Sequence, residues 1–281
     1  MQKYRIMQRV TCARSKYAEA YLNSSDREKR KSGMQANYHT HSRWCRHGVG
    51  EIEDYIEEAI RCGLREIAIT EHVPHNHTED SWIPWDQFPA YDAALNHAIK
   101  EYEGRIRVIK GFECEYYPLE MDDYRRFQED FGYELLFIGQ HRCGKNKEID
   151  CFGPKGPYEL HVYADDVCKG LETGFFRFLA HPDCALENYR NSWDKDCEAA
   201  MGQIFQACEE LKIPVEINGN GMRYQRRYPC EQTYLLSKKY DLKYMINSDA
   251  HAPELLCDEG VRKSEKFAEK LGLEIMPFLE I

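Results

Sequence analysis

At 281 residues, with 42% hydrophobic and 12% aromatic side chains, the chain can bury a sizeable core and carries no biased run that would argue for disorder. A net charge of −10 gives no overall basic field for a nucleic-acid backbone or an anionic membrane, so neither is an expected partner. There is no apolar run of about 18 residues and no continuous apolar leader, and the 12 cysteines stand singly without a CxxC spacing, so a soluble cytoplasmic chain with reduced thiols is expected.

Residues 1–33 hold nine Lys or Arg against three Asp or Glu, about +6, which leaves about −16 for the remainder. Met34 stands directly before the first strong pattern and reads as an alternative start. The expected organisation is therefore a basic N-terminal extension over 1–33 and one domain over 34–281. The first strand is read in ANYHTH (36–41) and the first helix in EIEDYIEEAIRCG (51–63). In that helix Ile52, Tyr55, Ile56, Ala59 and Ile60 share a face and Gly63 supplies the stop. Strands follow at EIAITEH (66–72), IRVIKGFECE (106–115), ELLFIGQH (134–141), FFRFLAHPD (175–183), PVEING (214–219) and KYMINSDAH (243–251), with helices over 89–103 and 195–212. Gly, Pro and Asn make 144–160 and 218–230 read as loops. No internal repeat and no linker divides the pattern.

Seven strands alternating with helices predict a parallel, closed α/β barrel. Each strand ends in polar residues: His39 and His41; Glu71 and His72; Glu113 and Glu115; His141; His181 and Asp183; Glu216 and Asn218; Asp249 and His251. The C-terminal ends of barrel strands converge on one face, where barrel enzymes carry their chemistry. His39 and His41, two apart on a strand, emerge on the same side and can share one ion. Seven of the 11 histidines and two acids fall at or just beyond these ends, which is too ordered for scattered structural histidines. Imidazole and carboxylate without thiolate favour zinc, iron or manganese, and the donors outnumber what one ion uses, so two or three divalent ions are expected. Clusters of that kind activate water near neutral pH and clamp phosphate oxygens, so phosphoester hydrolysis is the expected reaction.

HTHSRWCRH, TEH, GFECE, GQH, AHPD and NSDAH, in this order and at these spacings, resemble the polymerase and histidinol phosphatase (PHP) superfamily from about Tyr38 to the end of the chain. Within it the chain is most similar to monofunctional histidinol-phosphate phosphatases, in length and in the EING…R…YP and SDAH surroundings. The resemblance implies a distorted (β/α)7 TIM-like barrel with a trinuclear metal cluster at the C-terminal ends of the strands. It implies that His39, His41, Glu113 and Asp249 hold the first ion, and that Glu113 bridges to a second held by His141 and His181. The third ion would be held by His47, His72 and His251. It further implies hydrolysis of histidinol phosphate in histidine biosynthesis without a protein nucleophile. A phosphoesterase for another small phosphate or a nucleotide is the alternative, and a non-catalytic metal-binding interaction module the second. The acidic barrel suits a small cationic phosphate ester better than a polynucleotide.

A phosphate also calls for a cation outside the metal shell, for which Arg190 and Arg223 are the candidates. Glu71 is expected to steady a histidine ring, and Glu115 to support the site, with metal contact as its alternative. Asp183 would either assist the leaving group or orient His181. His75 and His77 are read as loop residues, His97 and His161 as structural. Trp82, Pro84 and Trp85 would wall the site for a flat ring or anchor a long loop.

Overall fold

The computed structural model describes residues 33–74, 82–190 and 192–281. The basic extension up to residue 32, and His75 and His77, lie outside the described residues. Strands β1 (Ala36–Asn37), β2 (Glu66–Ile69), β3 (Arg107–Cys114) and β4 (Leu135–Ile138) are parallel neighbours in that order. A short antiparallel hairpin, β5 (Arg142–Cys143) and β6 (Ile149–Asp150), rises directly from the end of β4. Leu179 then bridges Ile138 on one side and Val215 on the other, both in parallel. Strands β7 (Val215–Asn218) and β8 (Tyr244–Asn247) pair in parallel, and Thr40 bridges to Ala250, which returns the sheet to the first strand. Among the described residues these make the seven staves of a distorted closed barrel. At the seam side chains take over the ladder: Tyr38 N–H donates to Asn247 Oδ1 at 2.8 Å and Ser248 N–H to Asn37 Oδ1 at 2.7 Å.

The fifth predicted strand, 175–183, is shortened to 177–180: Arg177 and Ala180 N–H donate to Leu136 O and Ile138 O, Phe178 O accepts from Ile138 N–H, and Leu179 pairs on both sides. His181 turns into the left-handed region at φ +28° and Pro182 has no N–H to give, so pairing ends at Ala180.

Helices α1 (Ile52–Cys62), α2 (Phe88–Glu101), α3 (Met121–Glu129), α4 (Pro157–Glu172), α5 (Lys195–Leu211), α6 (Gly219–Tyr224), α7 (Glu231–Ser237) and α8 (Glu259–Leu271) fill the connections. α1 follows its sequence closely: Ile52, Tyr55, Ile56 and Ala59 are buried, Glu51 and Asp54 close a capping box, and Gly63 ends it at φ +84°. Two expected loops differ. The 144–160 segment contains β6 and the start of α4, and 218–230 contains α6, whose first turn is capped by Asn218 Oδ1 accepting from Gly221 N–H at 2.8 Å. Gly and Pro disguised both, because a cap and a two-residue strand leave no hydrophobic period to read. Among the described residues no helix is long and apolar enough to cross a membrane.

Inside the barrel Tyr38, Ala68, Ile109, Leu135, Phe137, Phe178, Ala180 and Met245 pack together with Leu279 from the C-terminal segment. Tyr38 Oη donates to Glu66 Oε2 at 2.6 Å, at the start of β2, and accepts from Leu279 N–H at 3.0 Å. Leu279 therefore seals the end of the barrel opposite the polar strand ends. Replacing it with Ala is expected to cost about 2–3 kcal/mol of stability in a urea titration, while kcat/KM of the remaining folded protein stays unchanged.

Candidate metal centre

The polar strand ends meet on the side chain of Glu113, at the end of β3. Its Oε2 lies 3.2 Å from His39 Nε2, 3.1 Å from His41 Nε2 and 3.3 Å from His72 Nδ1. Its Oε1 lies 2.9 Å from His181 Nε2 and 3.5 Å from His141 Nε2. Asp249 Oδ1 closes the other side at 3.6 Å from both His39 and His41 Nε2 and at 3.4 Å from His251 Nδ1. His47 reaches in from the loop after β1, its Nε2 2.8 Å from His251 Nε2. All nine residues expected to form the cluster are thus gathered in one place. His181 at φ +28° and Asp249 at φ +46° both adopt left-handed backbone conformations, a strain of the kind stored at functional sites.

The separations fit shared ions. Donors about 2.1 Å from a tetrahedral ion stand about 3.4 Å apart, and the nitrogen and oxygen atoms around Glu113 and Asp249 are 2.9–3.6 Å from one another. Groups of three with suitably placed donor atoms include His39, His41 and Glu113; His41, Asp249 and His251; and His72, Glu113 and His141. Cys45 lies near His41 and His47, but its Sγ faces Ser42 O at 3.1 Å. Burial, followed by the Glu71 carboxylate, pushes the thiol well above its ordinary value, so it offers no thiolate.

Electrostatics divide the histidines. Burial drives His41 and His72 toward neutral imidazole and takes His47 and His251 down to about 4. Neutral imidazole is the form with a lone pair for an ion. Burial opposes charge on His39, His141 and His181 as well, but the carboxylates facing them outweigh it and raise all three. Glu113 and Asp249 are likewise penalised by burial, yet the surrounding imidazoles hold both carboxyls well below the usual range.

Supporting contacts correct several expectations. Among the described residues Glu71 holds no histidine: its Oε1 accepts from Ser42 N–H at 2.8 Å and from the Ser42 hydroxyl, which fixes the turn leading to His47. Glu115 lies behind His141, Oε1 at 3.4 Å from Nδ1, while Oε2 takes Tyr117 Oη–H and Arg142 N–H. Asp183 accepts from Cys230 N–H at 2.6 Å and so anchors the approach to α7, and it does not line the cavity. His97 and His161 sit on α2 and α4 beside Glu101 and Asp196. The two tryptophans part company: Trp82 lines the cavity, whereas Trp85 stacks on Phe127 at 5.7 Å as a loop anchor.

The cavity over the cluster has a volume of about 320 Å³, and its wall beyond the expected ligands includes Trp82, Arg142, Phe152, Arg226 and Tyr228. Neither expected arginine is there. Arg223 is held by Asp258 through Nε at 2.6 Å and Nη2 at 3.0 Å, and Nη2 also donates to Ser248 O and Leu255 O. Arg190 is exposed and outside the cavity. The arginines among its described lining residues are Arg142, directly after His141, and Arg226, just past the left-handed end of α6 at Gln225; Arg226 Nη1 also lies 3.8 Å from Glu187 Oε1.

A family model described as "PHP domain" matches residues 37–220. The chain is 34% identical over 286 residues to a Schizosaccharomyces pombe protein named "Probable histidinol-phosphatase", covering 88% of this chain and 90% of that one. A Deinococcus radiodurans protein of the same name is 22% identical over 233 residues, covering 76% and 85%. Among solved structures, histidinol phosphate phosphatase from Lactococcus lactis, complexed with zinc, L-histidinol and phosphate, superposes with a TM-score of 0.68 at 16% identity, covering 86% of this chain and 95% of that chain. What is shared at that identity is the fold, in agreement with the seven-stave barrel. The chain belongs to the PHP domain family and stands among its histidinol-phosphatase-like members.

Proposed function

We propose that the protein is a metal-dependent phosphomonoesterase that converts histidinol phosphate to histidinol and inorganic phosphate, as a step of histidine biosynthesis. The observation that carries this reading is the convergence of five imidazoles on the two oxygens of Glu113, at the floor of a cavity sized for a small phosphate ester. The names of the relatives, and the histidinol and phosphate bound by the Lactococcus lactis protein, support this choice of substrate. On this reading His39, His41, Glu113 and Asp249 hold one ion, Glu113, His141 and His181 a second, and His47, His72 and His251 a third. Bound divalent ions supply Lewis acidity, which activates water and neutralises phosphoryl charge.

The remaining wall does the recognition. Arg142 and Arg226 are the forked cations that match phosphate oxygens, and Trp82, Phe152 and Tyr228 give the leaving group an apolar surface that excludes water. Replacing Arg226 with Ala is expected to raise KM about tenfold, the value of one charge-assisted hydrogen bond, with a smaller change in kcat, as read from steady-state phosphate release. Phosphate release from histidinol phosphate, set against sugar phosphates, mononucleotides and short oligonucleotides, tests the substrate. A kcat/KM at least about a hundredfold above the rest, roughly 2.7 kcal/mol, is expected. Broad or nucleotide-biased release would discard the substrate and keep a phosphoesterase. A metal-loaded protein inert toward every ester would leave only a metal-binding module.

A further inference from the structure

We propose that Glu216, which offers no atom to the ion positions, governs two of them at once by fixing both His39 and His181. This rests on the ligand assignment made above. Glu216 sits on β7 in the barrel interior with no exposure to solvent. Its Oε1 is 2.9 Å from His39 Nδ1 and 3.1 Å from Asn247 Nδ2, and its Oε2 is 2.9 Å from both His181 N and Asn218 Nδ2. A buried carboxylate is costly unless its lone pairs are met, and here donors occupy both oxygens. None of that capacity is left for a metal.

Each oxygen does a different job. Because Oε1 takes the proton on Nδ1, His39 in the neutral form that binds an ion presents a bare Nε2, and this nitrogen lies 3.2 Å from Glu113 Oε2 and 3.6 Å from Asp249 Oδ1. Oε2 holds the backbone N–H of a residue in a left-handed conformation, His181 at φ +28°, and that turn brings His181 Nε2 to 2.9 Å from Glu113 Oε1. One carboxylate thus sets the tautomer of a ligand for the first ion and the strained backbone of a ligand for the second. The third position, at His47, His72 and His251, has no contact with it among the described residues.

Glu216→Gln removes this control with almost no change in volume. If the amide nitrogen replaces Oε1 it faces Asn247 and His39, and His39 must then accept at Nδ1 and carry its proton on Nε2, toward the ions. If the nitrogen replaces Oε2 it meets the His181 N–H, which has no second tautomer to offer. Zinc affinity of the full-length protein, by competition with a chromophoric chelator and with bound metal counted by mass spectrometry, is expected to fall about 10–100-fold at two positions and to hold at the third. The cobalt-substituted protein should lose the matching share of its visible absorption. Equal affinity in the variant overturns the inference and leaves the ligand assignment standing, whereas wild-type protein that takes up no zinc overturns both. Should the variant fail to fold, nitrogen-15 NMR of zinc-loaded wild type decides: a proton on His39 Nδ1 is expected, and a proton on Nε2 overturns the inference.

Discussion

Replacing Glu113 with Gln is expected to lower kcat/KM for the phosphate ester at least about a thousandfold, roughly 4 kcal/mol. The side chain keeps its volume, so the buried strand around it has no reason to repack. What goes is the negative charge, together with one of the two oxygens on which His39, His41, His72, His141 and His181 converge. An amide oxygen can still face one group of imidazoles, but the nitrogen facing the other group offers a proton where an ion needs a lone pair. On the proposed assignment, two ion positions lose their common ligand in one change. Metal counted by mass spectrometry should fall in step with the rate. A variant that keeps its metal, and whose rate is within about tenfold of wild type, would contradict the role given to Glu113.

Why was the gathering of the cluster residues legible when their surroundings were not? The histidines and Glu113 announce themselves because a barrel puts strand C-termini on one face, and a polar residue ending an apolar run has only that face to occupy. The spacing of two in His39 and His41 added a shared direction. Arginines carry no such signal. Arg223 and Arg226 lie three residues apart in a segment read as loop; a one-turn helix and the left-handed Gln225 send the first to Asp258 and the second to the cavity. Asp258 is 35 residues further on, and nothing local reveals it. The same holds for Glu71 and Asp183, whose partners, Ser42 and Cys230, lie on other staves or loops. Glu216 was visible as one more polar strand end, but its role depends on four donors from three other segments and its own. The barrel itself was legible down to its seven staves, the fifth of which is shorter than its apolar run because the left-handed His181 and Pro182 end it at Ala180.

Gly139 makes the sharpest case of a residue whose function is to leave room. It follows β4 directly and faces the Glu113 carboxylate so closely that a Cβ there would lie 2.0 Å from Oε1, 2.9 Å from Cδ and 3.0 Å from Cγ. Its backbone is not in the left-handed region, so alanine brings no dihedral strain. The whole effect of Gly139→Ala therefore falls on the position of Glu113. The carboxylate must swing away from His181 and His141, and a displacement of about 1 Å at a reacting centre costs a hundredfold or more in rate. Stability should move far less, because overpacking costs about 1–3 kcal/mol and the loss of glycine's unfolded-state freedom returns part of it. The decisive form of the experiment is a double-mutant cycle. In a Glu113→Ala background there is no carboxylate for the new methyl group to displace, so adding Gly139→Ala should leave metal content and kcat/KM where Glu113→Ala alone put them. Losses that multiply instead would mean that Gly139 acts through the backbone of the strand and not through the space it reserves.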